Sequence, residues 1–259
     1  MNKKQHIKRQ EQLLHQQQKT AKLLKIAITL VSLILIFFGI YLYQMPKKVD
    51  PTDQITIMLD AGCDQKYKGA TGYCEEVVYN QAIVDQIAKK LKQDPKYNVI
   101  YTHDANTNMS VVHRVDVINQ TKPDLTLSMH LSDSNYPNDQ GMKIFIDPID
   151  SKKKETSLRF AQEIQKEFTK DGQVPFIGYC YYEDMGDGIF NQKEEPLEHV
   201  LELSTLPILS DSHNPIVYVN AFYASNEQEV NEYTSEEGID NAADLYCRAI
   251  QRTFEETEG

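Results

Sequence analysis

Two hydrophobic spacings alternate along the chain. Short apolar, β-rich runs at residues 55–59, 98–102, 125–129, 141–147 and 215–219 are bounded by turn residues and predict buried strands. Between them, apolar positions recur every three or four residues. Val78, Ala82, Ile83, Ile87 and Leu91 predict a helix over 75–92, which Asp94-Pro95 ends. Ser110 is placed to cap a helix over 111–119. Leu158, Ala161, Ile164 and Phe168 mark one over 152–169, and Ile239, Ala242, Ala243, Ala249, Ile250 and Phe254 one over 236–255. Strands alternating with helices predict an α/β fold, a layered and mostly parallel sheet flanked by helices. Residues 171–212, rich in Tyr, Glu and Asp, yield only a short helix over 196–203, with Tyr179 to Tyr182 as exposed contact surface or core edge. There is no internal repeat, phosphate loop or dinucleotide fingerprint.

One segment breaks the pattern. Residues 26–43 are eighteen residues without a charge, enough for a helix to cross a bilayer. Seven Lys or Arg precede it and only Lys47 and Lys48 follow closely, which predicts a single-pass anchor with a cytoplasmic N-terminus. No small-x-small cleavage site follows Tyr43, so an uncleaved anchor is preferred over a signal peptide. The expected organisation is a basic tail (1–25), a transmembrane anchor (26–43), a linker (44–54) and an extracytoplasmic domain (55–256).

Charge sharpens this picture. The chain carries 27 basic and 38 acidic side chains. Nine of the basic groups and one acid lie in residues 1–48, so residues 49–259 hold 18 basic against 37 acidic groups, a net charge of −19. Nucleic acid is excluded as a partner of that part by long-range repulsion.

The candidate chemistry begins at the first strand, which breaks at Asp60-Ala61-Gly62, crosses a Gly-bearing loop and enters the next helix at Glu75-Glu76. Polar side chains are thereby delivered to the carboxyl edge of a sheet. This order of residues resembles the zinc-dependent N-acetylmuramoyl-L-alanine amidases, which cut the amide between glycan and stem peptide in peptidoglycan. Their strand ends in Asp-Pro-Gly-His-Gly-Gly, and the His position is Cys63 here, followed by Asp64-Gln65 in place of Gly-Gly. Their Glu ligand, a few residues before an Asn, matches Glu76 and Asn80. The third ligand, in Asp-Leu-(x)-Ile-Ser-Ile-His-Ala-Asn, matches His130. THDANTN stands where the family has a Thr-Arg-Asp loop, with His103 replacing its Arg, and Arg114 matches an Arg of the following helix. PIVYVNAFYASNEQEV is similar to the family's last strand and turn, whose catalytic Glu is Asn220 here.

The resemblance implies a zinc site at Cys63, Glu76 and His130, and peptidoglycan or a cell-wall protein as partner. It also implies altered chemistry. Thiolate gives the metal more electron density than imidazole, and an amide cannot accept a proton near neutral pH. The expectation is a degenerate amidase that binds or regulates at the wall. An active zinc amidase with a relocated base, drawn from Glu227 or the acids of 183–187, and a structural envelope adaptor are the alternatives. Cys63, Cys74, Cys180 and Cys247 form no CxxC pair. Cys63 with Cys74 is a disulfide candidate, and two bridges, one or none remain open on sequence.

Overall fold

The computed structural model describes residues 19–20, 22–25, 28–40, 53–105, 107–146, 151–170, 176–184, 190–195 and 206–255, with the side chains of 151–154, 176–184 and 190–195 left aside. Contacts divide the chain into two units, Met1–Lys48 and Val49–Gly259. The first contains helix α1 (Lys22–Ile40), long and apolar enough to cross a membrane and with none of its apolar window buried. Most of the basic tail and of the linker lies outside the described residues, as does the helix expected over 196–203.

The second unit holds, in chain order, β1 (Ile55–Ala61), α2 (Glu76–Leu91), β2 (Tyr97–Tyr101), α3 (Val111–Thr121), β3 (Leu125–Ser132), β4 (Met142–Ile146), α4 (Ser151–Thr169), β5 (Phe176–Asp184), β6 (Phe190–Glu195), α5 (Pro207–Ser210), β7 (Ile216–Tyr223), α6 (Glu227–Tyr233) and α7 (Glu236–Thr253). One sheet of order β2-β1-β3-β7-β4-β5-β6 carries them. The pairs β1–β2, β1–β3, β3–β7 and β4–β5 are parallel, whereas β4–β7 and β5–β6 are antiparallel. The mostly parallel, helix-flanked sheet read from the sequence is thus observed.

Both faces of the central strands are buried, and alternation assigns each residue to a layer. Ile57, Leu59, Leu127, Met129, Val217 and Val219 join the larger core, with α2, α4 and α7. Met58, Phe145 and Ile216 join the smaller core on the other face, with Val115 and Ile118 of α3 and Ile208 and Leu209 of α5. Each of these side chains is worth about 1.5–3 kcal/mol when fully removed from water.

Several predicted boundaries shift. Strand β1 continues through Asp60, which reads as a break in sequence but is fully buried against partners described below. Helix α2 turns Val77, Asn80, Ile83, Val84, Ile87 and Leu91 inward and leaves Val78 61% exposed, so its inner face is rotated from the one expected. Strands β5 and β6 occupy the stretch that showed no period. Helix α6 was hidden by its polar sequence; Asn226 caps it by accepting from the Glu229 N–H at 3.0 Å. Ser110 caps α3 as expected, accepting from the His113 N–H.

Candidate metal centre

Register builds the site. Asp60 of β1 pairs with Ser128 of β3, Ser128 with Tyr218 of β7, and Tyr218 with Phe145 of β4, forming one row across the α3 face of the sheet. Two residues nearer the carboxyl edge, His130 pairs with Asn220 and Asn220 with Lys143. The rows are roughly 7 Å apart, two residues of strand rise.

The inner row is closed on itself. Asp60 accepts hydrogen bonds from Thr102 Oγ1 at 2.6 Å, Ser128 Oγ at 2.7 Å and Arg114 Nη1 at 2.8 Å. Burial raises its pKa, but the Arg114 charge and the two hydroxyls outweigh this and hold the carboxyl below its usual range. His103, with Nδ1 at 2.9 Å from Thr102 Oγ1, is pushed below the ordinary imidazole value by burial.

The outer row opens onto the loop between β1 and α2. The Gly62 N–H donates to Met129 O at 2.9 Å, drawing the loop over β3; a Cβ on Gly62 would run into the His130 ring. Cys63 adopts φ 69°, a left-handed conformation that costs a non-glycine residue about 1–2 kcal/mol. Asn80, fully buried, donates to Gly62 O at 2.9 Å and fixes that turn to α2. Gly69, at φ 74°, lets the backbone pass against Cys63 and Glu76, where any side chain would collide with both.

Cys63, Glu76 and His130 come together, their ligand atoms all within 4.8 Å of one another. His130 Nδ1 lies 2.8 Å from Glu76 Oε1, and the imidazole stacks on Tyr218 with ring centres 4.0 Å apart and planes at 12°. Glu76 Oε2 also accepts from the Ala70 N–H at 2.6 Å. Burial raises the Glu76 pKa, but the hydrogen bond and charge of His130 prevail and hold it below the carboxylate range. Burial, followed by the Glu76 charge, pushes the Cys63 thiol well up. The thiol is therefore protonated at neutral pH, and it hydrogen-bonds Glu76.

Sulfur, carboxylate and imidazole in threefold array are a donor set that suits zinc, with a fourth position left to another ligand. The three residues form a group that can hold a metal ion.

Asn220 stands beside His130 in the same row. Its Oδ1 is buried and finds no partner among the described residues. Lys143 pairs with it in register from β4, its ammonium 5.6 Å from the centre of the Tyr223 ring. Glu229, the buried acid of α6, is committed to the N–H groups of Gly141 at 2.8 Å and Tyr223 at 3.0 Å. Glu227 is exposed on the same helix, and the side chains of 183–187 lie outside those described. Cys63 and Cys74 are both free thiols, so the candidate bridge is not formed; burial raises Cys74 to about 11. The Asp60 cluster and the placement of Lys143 opposite Asn220 were not read from sequence. Two-residue alternation from Met58 and Phe145 was the signal that could have found them.

The chain belongs to the N-acetylmuramoyl-L-alanine amidase family (Amidase_3), whose profile matches residues 57–252. It is a peptidoglycan-amidase-fold protein. No curated protein matches the sequence. Among solved structures it resembles an N-acetylmuramoyl-L-alanine amidase from Clostridium difficile 630, at 17% identity over 80% of this chain and 100% of that one, with TM-score 0.65. The catalytic domain of CwlV from Bacillus (Paenibacillus) polymyxa var. colistinus follows at 21% identity, 76% and 97% coverage and TM-score 0.61. The CwlD amidase of Clostridioides difficile, solved in complex with the GerS lipoprotein, aligns at 19% identity, 77% and 98% coverage and TM-score 0.60. At these identities the likeness shows the fold.

Proposed function

We propose that this chain is a membrane-anchored, extracytoplasmic member of the family that binds peptidoglycan and has lost most or all hydrolysis. The observation that carries this reading is Asn220 in register with His130, with Lys143 on its other side. Amide hydrolysis needs a group that takes a proton from water and returns it to the leaving amine. An amide side chain cannot do so near neutral pH, and a lysine ammonium has no lone pair to offer.

Cys63, Glu76 and His130 would hold zinc, which when bound supplies polarisation of the scissile carbonyl. Cys63 must first release its thiol proton, and Glu76 its contact with His130. Asn220 can orient a water or donate an N–H to a carbonyl oxygen, which serves binding as well as it serves catalysis. Helix α1 and the basic residues preceding it support anchoring with the domain outside. The acidic surface of residues 49–259 leaves room for a neutral or cationic wall component or a partner protein, and CwlD's complex with a lipoprotein is a precedent for the latter.

Co-sedimentation of the detergent-solubilised chain with purified peptidoglycan, with newly exposed alanine amino termini counted in the same tube, tests this. The protein should pellet with the wall while the termini stay at the blank level. Steady release abolished by Glu76→Ala would overturn the reading in favour of an active zinc amidase.

A further inference from the structure

A pocket of about 330 Å³ opens between the loop after β1, the first turns of α2 and the turn after β2, lined by Cys63, Asp64, Val77, Val78, Asp85 and His103 among others. We propose that it binds a primary ammonium carried on an aliphatic stem. The site is independent of peptidoglycan binding, and it belongs to this chain in particular, because it turns on His103, which stands where the family pattern has an Arg.

Hydrogen-bond direction fixes what His103 presents. The Thr102 hydroxyl spends its one proton on Asp60 Oδ1 at 2.6 Å. Toward His103 Nδ1, 2.9 Å away, Thr102 Oγ1 can therefore only accept, so the imidazole hydrogen sits on Nδ1. Nε2 is left as a bare acceptor. No described residue donates to it, and burial, which holds the ring below the ordinary imidazole value, keeps it neutral near pH 7. The side chain is only 4% exposed, so this lone pair belongs to the lining of the pocket.

Asp64 supplies charge beside it. It is 6% exposed, and its Oδ1 accepts from the N–H groups of Lys66 at 2.8 Å and Tyr67 at 2.7 Å. Its Oδ2 has no donor among the described residues. Asp85, on the exposed side of α2, accepts from the Tyr101 hydroxyl through Oδ1 and keeps its other oxygen free. The Cys63 thiol is turned to Glu76.

The lining thus offers three free acceptors, two of them on carboxylates, and no cation. An ammonium, with three N–H donors and no acceptor, matches that set in number and in charge. A metal ion does not, since among the described residues only Cys63, Glu76 and His130 gather closely enough to hold one. Val77, Val78 and Ala82 complete the lining, and Val78 is 61% exposed, so methylene groups next to the charge meet an apolar wall. An Arg at position 103 would set a guanidinium where the bare nitrogen is and turn an ammonium away. The net charge of −19 on residues 49–259 draws cations in from a distance. Such a group arrives on a free diamine or on the lysine side chain of a partner protein.

Calorimetric titration of the full chain in nonionic detergent micelles tests this, with cadaverine as the free diamine, Nα-acetyl-lysine amide as the side chain and pentanediol as the uncharged control. The wild type should bind an amine at one site per chain and ignore the diol, and the tighter of the two amines identifies the source. Asp64→Asn keeps an oxygen for the two loop N–H groups and turns the free oxygen into a donor. It should leave the thermal midpoint in place and weaken amine binding at least tenfold, as should His103→Arg. Binding of neither amine, or wild-type affinity in both variants, would overturn the site. Many weak sites that vanish in moderate salt would reduce the effect to the general attraction of an acidic surface, and would overturn it as well.

Discussion

Two rows of polar residues cross the same face of one sheet, and they have opposite characters. In the inner row Asp60 is saturated by Thr102, Ser128 and Arg114 and buried without exposure. In the outer row Asn220 has an oxygen without a partner among the described residues, Lys143 next to it in register, and a thiol, a carboxylate and an imidazole converging on its other side. The inner row secures the position of β1 against α3 through three hydrogen bonds to one buried carboxylate. The outer row leaves capacity unused, which is how a surface prepared for a ligand differs from one that holds a fold. What separates this row from the family's pattern is an amide, Asn220, where the resemblance places a catalytic carboxylate.

The comparison can be broken or sharpened by substitution. The largest change is expected from Cys63→His with Asn220→Glu. Supplying the imidazole and the carboxylate that the family places here should raise zinc-dependent release of stem peptides by about 10²–10⁴ over the wild type, measured by amine labelling. Next comes Asp60→Ala, which strands the Arg114 guanidinium in the interior and should cost about 3–5 kcal/mol in urea unfolding of residues 49–259.

The same inner row predicts a pH response. The folded pKa of Asp60 lies below its unfolded value of about 3.8. Its contribution to stability is therefore complete above that value and is lost as pH falls through the folded one. Thermal midpoints taken between pH 6 and pH 2 should drop, and Asp60→Asn should flatten the part of the drop below pH 4. The smallest effect is expected in the outer row. Asn220→Val removes an oxygen that has no partner, so unfolding should change by less than about 1 kcal/mol. A large loss there would show that Asn220 belongs to the scaffold as Asp60 does.

Much of this arrangement was legible from local pattern. The five strands read from apolar runs all exist, and so do the four long helices of the domain, because their signals lie within a few residues of one another. The inner face of α2 was misread because Val77 and Val78 are adjacent and both apolar; only packing against β1 and α7 decides which one turns inward. Strands β5 and β6 escaped because FIGYCYYED and FNQKEE lack clean alternation and carry the charges typical of a sheet margin. Cys63, Glu76, His130 and Asn220 could be named through the family resemblance; the structure brings the first three together, with Asn220 beside His130 in register. Asp60's partners and Lys143 opposite Asn220 depend on registers between strands far apart in sequence. Alternation from Met58 and Phe145 puts Asp60 and Lys143 on the α3 face, but no local pattern gives their partners.

The account turns on whether water can be activated at the outer row. A single-turnover experiment answers most directly: zinc-loaded wild-type chain, equimolar with a muramyl-peptide fragment, sampled over hours for free alanine amino termini. The account predicts that the signal stays at the level of a Glu76→Ala control. Conversion of the fragment by the wild type, absent in that control, would contradict it.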